Sequence, residues 1–180
     1  MVSSPPTFTL SNVPYVNARF ELRFLLDELE TPAFARTFHA GKVVMPFGSW
    51  EGQPHELASD LMRRSIIGIE SYVVGAVRIT AINASRWSEA LENKLRDPFR
   101  LKGRGAIDNY YNKVPELLSP AYSLKNANQQ LWTELGTFYR STRNPLFHGF
   151  MISELEIPQL LSAHLLIGRV YSWIDSWSTY

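Results

Sequence analysis

Apolar residues recur along most of this chain at intervals of three and four, the period of helices with one buried face. From about Pro54, Met62, Ile66, Ile69, Val73, Ala76 and Thr80 alternate spacings of four and three and predict a long helix with a packing seam. Gly68 and Gly75 fall inside it and would let a neighbouring helix approach closely. Earlier, Ala18, Leu22, Leu25 and Leu29 mark a helix beginning near Asn17, and Thr31-Pro32 opens a short one through Phe38. Later come a mixed-charge helix over 85–96, an amphipathic segment over 107–118 interrupted by Pro115, and a helix over 126–142 that turns Leu131, Leu135 and Phe138 inward. The last helix, from Pro158, carries Leu160, Ala163, Ile167, Val170, Ile174 and Trp177 on one stripe, widened by Leu161, Leu165 and Tyr171.

Between these stretches the signals are those of loops. Pro5, Pro6 and Pro14 make residues 1–14 an irregular N-terminal arm, the Gly- and Pro-rich stretch 41–54 with Phe47 and Trp50 an ordered loop, and 97–105 another loop. No run alternates convincingly as a strand. The expected fold is all-α, a helical bundle formed by residues 15–180 as a single domain.

Composition narrows the chemistry. With 45% hydrophobic and 19% charged residues in 180, the chain can build a core. A net charge of +1 gives no global attraction to nucleic acid, so any such affinity must come from a local patch. The absence of cysteine excludes disulfides, thiol nucleophiles and cysteine-based zinc sites. His39, His55, His148 and His164 form no close pair of metal-ligand spacing, so neither a metal nor a cofactor is expected, and His164, beside the last apolar stripe, reads as a packing residue. The N-terminus has no secretory pattern, and the apolar stretch 66–82, broken by Glu70 and Arg78, reads as too short and too charged to span a bilayer. A cytoplasmic protein without a membrane partner is expected; Glu70 and Arg78 could form an ion pair within or between subunits, and a site role for Glu70 stays open.

One segment is strongly basic. Lys94, Arg96, Arg100, Lys102 and Arg104 fall within eleven residues, with Asp97 the only acid among them and Tyr110, Tyr111 and Lys113 following. A mobile loop of this kind could hold an RNA backbone through Lys94, Arg100, Lys102 and Arg104 and stack unpaired bases on the tyrosines. A solvated surface loop has the same composition.

The most specific chemistry lies in Arg143-Asn144-Pro145-Leu146-Phe147-His148-Gly149. A guanidinium can fork onto a phosphate, and an imidazole can exchange protons near neutral pH. Asn144 before Pro145 is expected to leave helical dihedrals and cap a new turn, breaking the helix and letting Arg143 converge on His148. Gly149 offers a C-terminal stop. An ordinary inter-helix turn could use the same residues.

The run Arg143-Asn144-x-x-x-His148, late in a helical chain, resembles the signature of the HEPN domain family. That resemblance implies a helical bundle that pairs with a second copy and cleaves single-stranded RNA without a metal, leaving a 2′,3′-cyclic phosphate. It assigns proton transfer to His148, stabilisation of transition-state charge to Arg143, and orientation or phosphate binding to Asn144. It further implies RNA as substrate, a homodimer, and a toxin–antitoxin or antiviral defence setting with an antitoxin or other defence component as partner. A non-catalytic nucleotide- or RNA-binding module and a helical dimer scaffold remain open on the same residues.

Overall fold

The computed structural model describes residues 13–45, 48–153, 157 and 159–178. They are predominantly helical, as the apolar periodicity requires. In chain order the elements are α1 (Val13–Glu28), α2 (Pro32–His39), β1 (Lys42–Met45), β2 (Gly48–Glu51), α3 (Pro54–Asn83) and α4 (Glu89–Arg96). There follow α5 (Ala106–Asp108), α6 (Val114–Glu116), α7 (Leu124–Ala127), α8 (Gln129–Phe138), α9 (Asn144–Phe147) and α10 (Leu160–Asp175).

Two expectations at the start of the chain change. Helix α1 begins at Val13, so the proposed arm loses its last two residues to a helix, and residues 1–12 lie outside those described. The stretch 41–54, for which its Gly and Pro content predicts a loop, holds an antiparallel hairpin, with Lys42 opposite Glu51 and Val44 opposite Ser49. Each strand is four residues long, too short for alternation to register, although Val43 is buried and Val44 exposed as a strand demands.

The chain divides into two compact units. One comprises residues 69–136 and 169–178, the other 13–68 and 137–168, taking the described residues. In the second unit Leu25, Leu57, Leu61, Met62, Ile66, Leu146, Leu160 and Ile167 are buried. In the first, Ile69, Val73, Val77, Tyr111, Val114, Leu124, Leu131, Leu135, Val170 and Ile174 are. The predicted seam of α3 is therefore buried through Ala76, and Thr80 is half-buried. On α10 the stripe from Leu160 to Trp177 turns inward while Leu161 and Leu165 remain exposed, and His164 is buried.

Helix α3 contains the apolar stretch 66–82. At 30 residues it is long and apolar enough to cross a bilayer by length and composition, and half of its apolar window is buried inside the protein. Glu70 is among its buried residues. Arg78 forks onto Glu92 of α4, with Nε and Nη2 2.8 and 2.9 Å from the two carboxylate oxygens. Arg96 lies 3.6 Å from the same carboxylate, one turn along α4.

Prolines inside helices are accommodated by a shared device. Pro115 does not interrupt its segment. A π-helical turn, Asn109–Lys113, joins α5 to α6, and the Val114 N–H reaches back five residues to the Asn109 carbonyl. Widening the turn just before the proline relieves the clash of its ring with the preceding turn, which an α-helix cannot avoid.

The Arg78 hydrogen bonds outweigh burial and hold the Glu92 carboxyl below its ordinary value of 4.5. Stability from this pair is thus complete above that value and lost as pH falls through the lower, folded one. Glu92→Gln leaves Arg78 without its countercharge, and should cost about 3 kcal/mol at neutral pH. Thermal melts from pH 7 to pH 3 should show the variant losing less on acidification than the parent. An equal acid loss in both would assign that sensitivity to other carboxylates.

Candidate functional site

The motif segment belongs to the second unit and is one end of a continuous helical run. The break expected at Asn144 does not occur. Asn144 is helical (φ −64°, ψ −47°), and a second π turn, Tyr139–Arg143, connects α8 to α9 directly. The Asn144 N–H donates to the carbonyl of Tyr139, five residues back, and Pro145 follows in the first turn of α9. Asn144 is therefore not a cap. The π turn removes the steric reason for a break, and so the pre-proline rule fails here as it does at Val114-Pro115.

The helix ends on His148 (φ −94°, ψ 13°), whose N–H bonds to the carbonyls of Asn144 and Pro145. Gly149 takes φ 93°, and the N–H groups of Gly149 and Phe150 return to Leu146 and Pro145, a left-handed cap. A side chain at Gly149 would meet open space, so only the backbone angle calls for glycine there.

Two residues of α3 hold this end in place. Arg63 donates from Nε to the Leu146 carbonyl (3.0 Å) and from Nη2 to the Phe150 carbonyl (3.1 Å). Four residues earlier on α3, the buried Ser59 Oγ accepts the Ile152 N–H at 2.8 Å. A cation against terminal carbonyls complements both their lone pairs and the helix dipole. Sequence reasoning missed both residues. Arg63 merely flanks the apolar seam, and nothing local announces a partner more than eighty positions away.

The motif side chains occupy neighbouring strips of the surface. Arg143 places its guanidinium carbon 4.1 Å from the Phe147 ring centroid and 5.5 Å from that of Tyr139. Such stacking holds the planar group against the two rings. Asn144 and His148, four apart, are both exposed. The cap is built from backbone groups, Gly149 and Arg63, so neither the amide nor the imidazole is spent in forming it. Alongside lies a cleft of about 80 Å³ lined by Thr142, Pro145, Leu146, Phe150, Met151 and Leu160, among others. Phe147, Phe150, Met151, Leu161 and Leu165 are exposed apolar residues of this unit.

The basic run falls in the first unit, and its backbone is hydrogen-bonded at two points. Pro98–Leu101 form a 3-10 turn, and Lys102 adopts a left-handed conformation (φ 58°). The Gly103 N–H bonds to Asn109 Oδ1 and the Arg104 N–H to Asp108 Oδ2, each at 2.8 Å. A Cβ at Gly103 would come within 2.5 Å of Asn109 Oδ1, which requires glycine. Burial pushes the Asp108 carboxyl up, but hydrogen bonds from Asn112 and the Arg104 backbone outweigh it and leave the group lowered. Lys94, Lys102 and Arg104 are exposed, whereas Arg100 pairs with Asp97 at 2.9 Å on the surface. Tyr111 is fully buried and cannot stack a base. The exposed ring is Phe99, edge-on to the half-buried Tyr110 at 6.0 Å.

Among the described residues, no three His, Asp or Glu side chains gather as a metal-binding group. No family model matches the chain, and no curated protein or solved structure matches it either.

Arg63→Ala should cost about 1–2 kcal/mol, because its partly exposed bonds are charge-assisted but shared with water. Amide exchange at Phe150 and Ile152 should accelerate more than exchange in α1. Uniform acceleration throughout the chain would show that Arg63 supports the fold in general and not this cap.

Proposed function

We propose that the chain is a metal-independent endoribonuclease of HEPN type acting on single-stranded RNA. One observation carries the reading: Asn144 and His148 stand exposed beside a stacked Arg143 on a helix end that other groups hold together. Polar side chains that a turn does not need for its own stability are available for a substrate.

In this reading the ribose 2′-oxygen attacks the adjacent phosphorus while the bond to the 5′-oxygen breaks. The 2′-hydroxyl proton passes to a base and the departing 5′-oxygen receives one from an acid, giving a 2′,3′-cyclic phosphate and a 5′-hydroxyl. His148 serves in these proton transfers, Arg143 meets the charge that develops on the non-bridging oxygens, and Asn144 binds phosphate or orients the imidazole. One imidazole cannot be base and acid in the same instant. A two-fold dimer would supply the second, and the exposed Phe147, Phe150, Met151, Leu161 and Leu165 give it an apolar surface to bury. Lys94, Lys102 and Arg104 would track the RNA backbone, with Phe99 as the stacking ring. A defence or toxin setting, with an antitoxin-like partner, belongs to this proposal through the family resemblance.

The test is cleavage of a labelled single-stranded RNA in EDTA. The wild type should cut it, and His148→Ala and Arg143→Ala, with unchanged thermal melts, should each lower the rate at least about a hundredfold. Activity retained by both variants, or lost in EDTA, would defeat the mechanism. Saturable RNA binding without cleavage would favour a binding module instead.

Neutralising Lys94, Arg100, Lys102 and Arg104 together should weaken RNA binding and flatten the dependence of log affinity on log salt. A full contribution from four contacts would change that slope by about 3, and Arg100, already paired, should contribute least. An unchanged slope would return the segment to a solvated surface role.

A further inference from the structure

A second pocket lies wholly within the first unit, which does not contain the motif. Its volume is about 260 Å³. Ala76, Ile79 and Ala84 of α3 and the turn after it form one wall, and Leu118, Tyr122 and Trp177 supply apolar and aromatic surface. Tyr122 and Trp177 meet edge-on at 5.6 Å, and Trp177 is almost entirely buried, so the aromatic surface is fixed. Thr80, Asn83 and Tyr72 add polar groups, and the Tyr72 hydroxyl is committed to Asp175 at 2.6 Å.

Arg86 also lines the pocket, exposed and, among the described residues, without an ion pair. Its position is set by the end of α3. Ser85 takes a left-handed conformation (φ 54°), and the Ser85 and Arg86 N–H groups return to the carbonyls of Ile82 and Ala81. A non-glycine residue in that region is strained, and here the turn leaves Arg86 in the pocket's lining.

We propose that this pocket binds a small aromatic monocarboxylate, its ring against Tyr122, which the buried Trp177 holds in place, and its carboxylate forked by Arg86. Apolar walls with a few convergent polar groups are the general form of small-molecule sites. A planar guanidinium matches a carboxylate in geometry and charge. A phosphate dianion fits less well. It would meet one cation only, beside the C-terminal, carbonyl-bearing end of α3, whose dipole opposes a second negative charge. The volume likewise suits a ring with a short acidic arm.

Calorimetric titration of the full chain with indole-3-acetate, neutral indole and phenyl phosphate tests this assignment. Indole-3-acetate should bind saturably below about 1 mM, and Arg86→Ala should weaken it about tenfold while leaving the weaker binding of indole unchanged. Arg86 is exposed and bonds into the cap only through its backbone N–H, so the variant keeps the fold, as a thermal melt will verify. Failure of indole-3-acetate to saturate, equal affinity in the variant, or tighter binding of phenyl phosphate would each overturn the proposal. None of these readouts involves RNA.

Discussion

The Arg63 guanidinium, donating at once to the carbonyls of Leu146 and Phe150, is the interaction on which the motif's presentation depends. A helix that stops at the surface leaves its last carbonyls without partners, and those carbonyls must be satisfied before the chain can turn away. Here the left-handed turn at Gly149 returns N–H groups to Leu146 and Pro145, and a cation from α3 adds donors to the Leu146 and Phe150 carbonyls. With Ser59 fixing Ile152 as well, α3 anchors both sides of the turn that carries His148. Side chains outside the motif thus do the structural task that Asn144 and His148 would otherwise have to perform.

The helices tolerate proline for a related reason. Pro115 and Pro145 each follow a five-residue π turn, and the residue before each proline bonds five positions back. An α-helix at those points would press the proline ring against the preceding turn and kink or end. In the Asn109–Lys113 turn, the buried Asn109 and Asn112 are the posts to which the basic loop, the Ser123 hydroxyl and the Lys125 N–H are tied.

The long-period features were legible in the sequence. The α3 seam, the inward face of α8 and the buried stripe of α10 follow from apolar spacing alone, because burial of a helix face leaves a repeating mark. The hairpin left none, since four-residue strands hold too few positions to alternate. The failures at Asn144 and Pro115 share one cause: a local rule about proline was applied as though the preceding turn had to be α. For the site, the candidate side chains could be named but not their surroundings. Arg143 above Phe147 follows the i, i+4 rule and was readable, whereas Arg63 and Glu92 are partners made by the tertiary fold. Tyr111 and Phe99 exchanged roles because composition cannot say which ring of a loop faces water.

The π turn at Tyr139–Arg143 also sets a phase. It spends one residue more than an α-helical turn, so everything after it is rotated by about 100° relative to an uninterrupted α-helix. The strip that would otherwise bear one set of motif side chains bears the next set instead. The direction in which Arg143, Asn144 and His148 face is therefore fixed by chain length within a single turn, independently of any bond that those side chains make. Removing or adding one residue there would re-aim the whole constellation while leaving every residue of the motif in place.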